Sequence, residues 1–257
     1  MAALTDDHQL AALGARRIST DTDPDELVLP EESGRRLGWI AGWLSQPPFV
    51  FREWGLSRYV DGGLRALFRG PPGTGKTMAA VALGRSTERP LLRIDLGAVT
   101  SSTVGDTEKQ VQRLFAAAHE EGAILLFDEA DDIGHLLRRI EPFEGLAIIA
   151  ADSAANIEED ALSRIDVMVD FPRPDETARE ALWRKLLAAV KLPQADGLNI
   201  GLLAKHELSG AEILRCIRVA SSLAATDDKP LDMDLLQSAA AERLAMRGEC
   251  SQCSQSP

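Results

Sequence analysis

Five short apolar segments alternate with segments of helical periodicity between residues 64 and 171. They predict β-strands at 64–68, 91–95, 123–128, 146–151 and 167–171. Strands that are apolar nearly throughout, and that are connected by helices, are typical of a parallel sheet covered on both faces. The sequence therefore predicts an α/β fold in which a parallel five-stranded sheet forms the middle layer of a three-layer sandwich.

A glycine-rich loop connects the first of these strands to a helix that is rich in Ala and Leu. It matches the P-loop pattern G-x-x-x-x-G-K-[ST] in full, with the residues Gly70, Pro71, Pro72, Gly73, Thr74, Gly75, Lys76 and Thr77. Glycines allow backbone N–H groups to turn inward around phosphates, and the helix N-terminus adds the positive end of its dipole. In this pattern Lys76 reaches the β- and γ-phosphates, and Thr77 ligates magnesium. We therefore expect a P-loop NTPase fold with ATP and Mg²⁺ as cofactors.

Two acidic residues come at the end of the third predicted strand. Asp128 ends a buried strand, so we expect its side chain to face the magnesium ion beside the P-loop and to hold it largely through water. Glu129 follows, and it is the candidate for orienting or deprotonating the attacking water. Together with the P-loop, these carboxylates favour a catalytic site over a solvated acidic turn.

The pattern changes to helices alone after residue 174. Periodicity predicts helices at 175–190, 209–225 and 232–246, the second of them started by the capping pair Ser209 and Glu212. A further helix is predicted at 31–44. We therefore predict four regions: a flexible leader at 1–24, an α/β nucleotide-binding domain at 25–174, a helical lid domain at 175–247 and a disordered tail at 248–257.

The composition excludes several classes of protein. The net charge of −12 argues against non-specific nucleic-acid binding, which needs clustered Lys and Arg. The acidic N-terminus does not resemble a secretory signal, and no apolar run is long enough to cross a bilayer. Cys250 and Cys253 form a C-x-x-C without a histidine close in sequence, so we expect no metal site there. With so few cysteines, a reducing cytoplasm is the expected location.

Three segments together resemble the AAA+ ATPases, in particular the AAA group built like the cell-division-cycle unfoldases and the meiotic-clade remodellers. They are Gly-Pro-Pro-Gly-Thr-Gly-Lys-Thr at 70–77, Phe-Asp-Glu-Ala-Asp at 127–131 and Leu-Ser-Gly-Ala-Glu-Ile at 208–213. The likeness extends from about residue 25 to residue 246. Among bacterial members, the chain looks most similar to small single-domain ATPases encoded near phage-tail-like contractile systems.

The resemblance implies a ring of identical subunits, commonly a hexamer, that acts on a protein client. In such rings ATP lies between subunits, and Gly210 and Ala211 would lie near the adenine. A neighbouring subunit supplies an arginine finger, for which Arg164 is the local candidate. A polar residue after the fourth strand helps to place the attacking water, and Asp152 stands there in place of the usual Asn.

Other parts of the chain depart from the family pattern. Asp152 adds negative charge near the γ-phosphate, and Ser163 stands where the family typically has Arg. We expect Asp166 to draw Arg164 aside or to cancel part of its field. The segment Thr103-Val104-Gly105 lacks the aromatic residue of the usual pore loop, which weakens the case for polypeptide threading.

Two functions stay open. The first is an ATPase, with weak activity, that couples hydrolysis to remodelling an unidentified protein partner or assembly, and the intact P-loop with Asp128 and Glu129 favours it. The second is a nucleotide-dependent interaction module with very slow or no hydrolysis, which Asp152 and the altered finger region favour. A small-molecule kinase is disfavoured, because the helical lid follows the sheet instead of interrupting it.

Overall fold

The computed structural model describes residues 7–19, 27–46, 63–95, 106–128, 133–152 and 157–253, with the single residues 53 and 55. The predictions for Glu129 and for Thr103-Val104-Gly105 lie outside these residues. The chain divides into two compact units, one formed by Met1–Gly70 with Lys76–Phe171 and the other by Pro71–Gly75 with Pro172–Pro257. The functional assignment of a nucleotide-binding domain and a lid to the two sides of residue 174 stays a prediction.

The first unit is built on a mixed sheet of six strands within the described residues. The strands are β1 (Ala15–Ile18), β2 (Leu64–Arg69), β3 (Leu91–Ile94), β4 (Ile124–Phe127), β5 (Leu146–Ala151) and β6 (Val167–Asp170). Their spatial order is β1-β3-β4-β5-β2-β6, and β2 to β6 pair in parallel. The five predicted parallel strands are therefore confirmed. The carboxyl ends of β2, β4 and β5 meet at one edge of the sheet, the edge at which nucleotides bind in folds of this class.

The sixth strand corrects the prediction of a flexible leader at 1–24. Asp7–Ala12 forms a helix (α1), and β1 pairs antiparallel with β3, with Ala15 opposite Ile94 and Ile18 opposite Leu91. Leu10 and Ala15 are buried in the core of the first unit. The prediction was wrong for residues 7–18, because a four-residue edge strand with two arginines has little apolar periodicity of its own. The strand β1 forms because its backbone pairs with N–H and C=O groups at the edge of β3 that would otherwise be unpaired.

Helices cover both faces of the sheet. They are α2 (Glu31–Leu44), α3 (Lys76–Ser86), α4 (Asp106–Glu120), α5 (Ile133–Ile140) and the single turn α6 (Glu159–Leu162). Apolar residues of α2 and α3 pack with Phe68, Leu126 and Ile148 on one face of the sheet. Residues of α1, α4 and α5 pack with Leu67 and Leu125 on the other face. The three-layer α/β sandwich is therefore present as predicted. No helix in the described part of the chain is both long enough and apolar enough to span a membrane.

The second unit contains helices α7 (Glu176–Ala188), α8 (Ile200–Ala204), α9 (Gly210–Thr226) and α10 (Met233–Cys253). They enclose a core of their own around Trp183, Ile213 and Leu236, all of which are fully buried. The predicted disordered tail at 248–257 is wrong for residues 248–253, because α10 continues through them. This stretch contains no proline, and its single interior glycine costs a helix only about 1 kcal/mol relative to alanine.

A buried carboxylate fixes the start of α9. Ser209 and Glu212 form the predicted capping box, in which the Ser209 N–H donates to Glu212 Oε2 over 2.8 Å. Three arginines surround the same carboxylate at 3.6–3.9 Å: Arg173, Arg243 and Arg247. Burial by itself raises the pKa of Glu212, but the hydrogen bonds with Ser209 and the charges of Arg247 and Arg243 outweigh it and hold the pKa below its ordinary value.

The Glu212→Gln variant should lower the free energy of unfolding by roughly 1–3 kcal/mol at about pH 7, because it removes a charge-assisted cluster from a buried site. A carboxylate whose pKa is lower in the folded chain stabilises the fold above its unfolded pKa, and this stabilisation is lost as the pH falls through the folded pKa. The difference in free energy of unfolding between the wild type and the variant should therefore shrink below about pH 4. Urea unfolding followed by circular dichroism, at about pH 7 and again below about pH 4, measures this difference.

The matched control is Glu180→Gln, which breaks an exposed pair with Arg184 on α7. That change should stay within about 0.5 kcal/mol at either pH. A Glu212→Gln deficit that is equally large at low pH would contradict the assignment of its cause to charge.

Candidate nucleotide-binding site

The glycine-rich loop starts at a position that accepts only glycine. Gly70 follows β2 directly, has a φ of +154°, and donates its N–H to the Ala151 carbonyl at the end of β5 over 3.2 Å. A Cβ atom at Gly70 would lie 2.1 Å from the Phe171 carbonyl oxygen, which no real side chain tolerates. The first glycine of the pattern therefore lets the chain turn while it stays bonded to the sheet.

The middle of the loop belongs to the second unit. Gly73 has a φ of +77°, and a Cβ atom there would lie 2.8 Å from Ser209 Oγ and 2.9 Å from Ala211 Cβ. The Ala211 N–H donates to the Gly73 carbonyl over 3.1 Å, and the start of α9 at Gly210 lies against the same carbonyl. The structure thus brings Gly210 and Ala211 against the loop. Gly75, with a φ of +108°, has no atom within 4 Å of the position of its missing Cβ, so the loop is open at this point.

The ammonium group of Lys76 is buried and already paired. The side chain is 9% exposed, and its Nζ donates to the Gly70 carbonyl over 2.5 Å and to Asp152 Oδ1 over 2.8 Å. Asp152 follows β5 and is more than half exposed. A buried ammonium is stable only where oxygens surround it. The predicted phosphate ligand and the predicted water-placing residue therefore form one ion pair.

Thr77 and Asp128 also meet, as expected for residues that share a magnesium ion. The Thr77 hydroxyl donates to Asp128 Oδ2 over 3.2 Å. A hydroxyl and a carboxylate are hard oxygen ligands of the kind that Mg²⁺ prefers together with water and phosphate oxygens. No group of three or more His, Cys, Asp or Glu that could hold a metal ion occurs among the described residues. The pair offers oxygen ligands to an ion that reaches the site together with a nucleotide.

The sequence analysis missed one residue of this site. Arg93 on β3 lies 3.4 Å from Asp128 Oδ2, the oxygen that also accepts from Thr77. The available signal was an arginine in the middle of an otherwise apolar strand, since such a residue needs a nearby acid. The partner was not predictable without the alignment of β3 against β4.

Arg164 is held by acids of the same chain. Its Nη1 donates to both carboxylate oxygens of Glu141 at 3.2 Å, and its Nε lies 3.7 Å from Asp160. The expectation that Asp166 draws Arg164 aside is wrong, because Asp166 accepts from the backbone N–H of Arg65 over 2.7 Å. The candidate finger is therefore restrained, but by Glu141 and Asp160.

Comparison with known proteins identifies part of the chain. Residues 66–173 match the family described as ATPase family associated with various cellular activities (AAA). This stretch of the chain is therefore similar to the AAA ATPases. Members of this family bind ATP and hydrolyse it. The match begins within β2, continues past β6 and includes the P-loop, Asp128 and Asp152.

Several relatives resemble this chain over longer stretches. The chain is 30% identical over 175 residues to the 26S proteasome regulatory subunit 8 of Caenorhabditis elegans, covering 57% of this chain and 42% of that protein. It is 27% identical over 248 residues to the probable 26S proteasome regulatory subunit 4 of the same organism, with coverages of 80% and 55%. It is 28% identical over 227 residues to the proteasome-activating nucleotidase of Saccharolobus solfataricus, with coverages of 77% and 56%. The chain thus spans about half the length of these relatives.

A solved structure from a study of the structural basis for katanin self-assembly has a similar fold. Its TM-score is 0.66 at 19% identity, and the match covers 93% of this chain and 92% of that one. The likeness agrees with the order of strands and helices described above. The chain has the α/β P-loop NTPase fold.

The Asp152→Asn variant should bind ATP roughly threefold to fivefold more tightly than the wild type, the range of a partly exposed ion pair. The neutral amide no longer competes with phosphate for the ammonium of Lys76, and it removes a negative charge beside the bound phosphates. Isothermal titration calorimetry measures the change. Glu120→Gln, the same change in charge at the exposed end of α4, is the control and should leave the affinity as it is. Equal or weaker affinity in Asp152→Asn would contradict the competition.

Proposed function

We propose that this protein binds ATP with Mg²⁺ and hydrolyses it, with weak activity, to remodel a protein partner or assembly as a ring of identical subunits. The observation that carries the proposal is the convergence of Lys76, Thr77 and Asp128 at the carboxyl edge of the sheet, directly after the glycine-rich loop. Both the buried ammonium and the 3.2 Å hydroxyl–carboxylate contact have the chemistry that a Mg²⁺-bound triphosphate requires.

Each residue of the site has a proposed role. Backbone N–H groups of Gly70–Thr77 cradle the phosphates, and Lys76 neutralises the β- and γ-phosphates. Thr77 holds Mg²⁺, and Asp128 holds it largely through water; when bound, the ion neutralises charge that develops on the phosphate oxygens. Glu129 orients or deprotonates the attacking water, and Asp152 accepts a hydrogen bond from it. Gly210 and Ala211 line the adenine side, while Arg164 acts as the finger toward a neighbouring subunit.

The oligomer and the protein client are also part of the proposal. Relatives named as proteasome regulatory subunits, and a neighbour in fold named for self-assembly, support a ring, commonly a hexamer in this family. We place the chain with the cell-division-cycle and meiotic-clade-like AAA proteins, among bacterial single-domain members, and in the cytoplasm. Neither a membrane nor a nucleic acid is a proposed partner.

A nucleotide-dependent interaction module with very slow or no hydrolysis is the second candidate. Two observations favour it. Asp152 forms an ion pair with the ammonium of Lys76. Glu141 and Asp160 both form ion pairs with Arg164. Both pairs engage groups that hydrolysis in a ring would require on the nucleotide.

Removing the ammonium in Lys76→Ala should weaken ATP binding at least roughly tenfold, because charge-assisted hydrogen bonds are the strong ones. Glu129→Gln should retain ATP while turnover falls on the order of a hundredfold, because it keeps the shape of the side chain without its basicity. Calorimetry measures binding, and phosphate release measures turnover. Lys191→Ala, which removes an exposed lysine, is the control. Undiminished ATP binding by Lys76→Ala would refute the proposed function.

A neighbour-dependent site predicts that the specific rate of hydrolysis rises with protein concentration. An arginine finger is worth roughly 10³–10⁵ in rate, so only assembled subunits reach the full rate. Arg164→Ala should flatten this rise with little change in ATP affinity. Arg138→Ala is the matched control, because Arg138 also pairs with Asp160, at 3.2 Å, but is more exposed. A negligible rate that depends neither on concentration nor on Arg164 would favour the interaction module.

A further inference from the structure

Arg93 brings a fixed positive charge to the carboxylate of Asp128. In the parallel pair of β3 and β4, Arg93 lies opposite Leu126, so Asp128 comes two residues further along on the same face. The Nη2 atom of Arg93 lies 3.4 Å from Asp128 Oδ2. This is the oxygen that accepts from the Thr77 hydroxyl. One carboxylate oxygen therefore serves both a guanidinium and the hydroxyl of the P-loop.

The surroundings explain why this pair forms. The neighbours of Arg93 on its own face of the sheet, Leu91, Ile124 and Leu126, have no exposed surface. A guanidinium above such a surface is stable only beside an acid or water. Asp128 is 13% exposed and Arg93 is 38% exposed, so the pair lies at the boundary between the core and solvent.

Arg93 and Asp128 are also accessible to small ions. Both line a cavity of about 560 Å³ in the first unit, together with Arg16 and Asp95. Arg16 lies directly opposite Arg93 across the β1–β3 pair. A cation that approaches Asp128 from this cavity therefore meets the positive charges of two arginines, of which Arg93 alone contacts the carboxylate among the pairs described.

We propose that Arg93 is a resident counter-cation of Asp128 that lowers the dependence of nucleotide binding on Mg²⁺. The guanidinium neutralises the carboxylate in the absence of metal, so the phosphates are not repelled by it. The same charge opposes a divalent ion near Asp128, so Mg²⁺ adds less to affinity than it would without Arg93. This inference rests on the proposed function, since it concerns the carboxylate assigned there to Mg²⁺.

Binding of a fluorescent ATP analogue, measured with excess MgCl₂ and with EDTA, tests the inference. The measured quantity is the ratio of Kd in EDTA to Kd in MgCl₂. In Arg93→Gln this ratio should rise roughly fivefold over the wild type, the upper range for a partly exposed charge pair. Arg93→Lys keeps the charge and should keep most of the wild-type ratio. Arg16→Gln makes the same change in charge on the neighbouring strand without removing a contact to Asp128, so its ratio should rise clearly less than that of Arg93→Gln.

The outcomes separate the inference from the function on which it rests. An unchanged ratio in Arg93→Gln, or an equal rise in Arg16→Gln, would overturn the role of Arg93 while Lys76-dependent binding stands. No binding by the wild type in either buffer would overturn the proposed function and this inference with it. Circular dichroism checks that each variant folds. If Arg93→Gln does not fold, Arg93→Met, which keeps the apolar stem without the charge, decides the question in the same assay.

Discussion

The buried ammonium of Lys76 depends on oxygens from two segments of the chain that the sheet brings to one place. Gly70 follows β2, Asp152 follows β5, and these two strands are neighbours in the sheet. Parallel pairing makes both strands end at the same edge, so a carbonyl and a carboxylate reach the same amine. Any phosphate that comes to Lys76 therefore replaces contacts that already exist. Its affinity is the difference between two sets of charged interactions, and this is why the residue after β5 matters for binding as well as for chemistry.

A second cation, Arg65 at the start of β2, fixes the surroundings of Arg164. Its buried guanidinium donates to the carbonyls of Glu141 and Phe143 just after α5, which caps the end of that helix. Its backbone N–H donates to Asp166. One residue of the central sheet thus holds the backbone of Glu141, which pairs with Arg164, and the side chain of Asp166. Glu141 and Asp160 are both more than half exposed, so releasing Arg164 from them costs only about 1 kcal/mol for each pair. The restraint on Arg164 is therefore real but weak.

The sequence was sufficient for features that depend on local pattern. Strands such as 124–127 are buried on both faces and read as continuous apolar runs, and the P-loop has a fixed spacing because backbone N–H groups must surround a phosphate. The capping box at Ser209 is equally local. By contrast, β1 was missed because it forms by pairing with the edge of β3, and its own residues show no strand pattern. The partners of Arg93 and Arg164 were missed for a related reason. Arg93 with Asp128 and Arg164 with Glu141 are pairs of residues far apart in the chain, and only the strand register or the path of a loop brings them together.

At the proposed site, the acids of the two ion pairs at the edge of the sheet weaken nucleotide binding but supply groups for hydrolysis. Lys76 with Asp152, and Arg93 with Asp128, give a local set of charges that is balanced, whereas a site that only bound phosphate would gain from excess positive charge. In the proposed function the acids are the groups that hydrolysis requires, because Asp128 would face the metal and Asp152 the attacking water. Each acid therefore weakens attraction for the nucleotide while it supplies a group for turnover. If the proposed function holds, small changes in the strength of these pairs would convert the chain from a weak ATPase to a nucleotide-dependent binder, without any change in its fold.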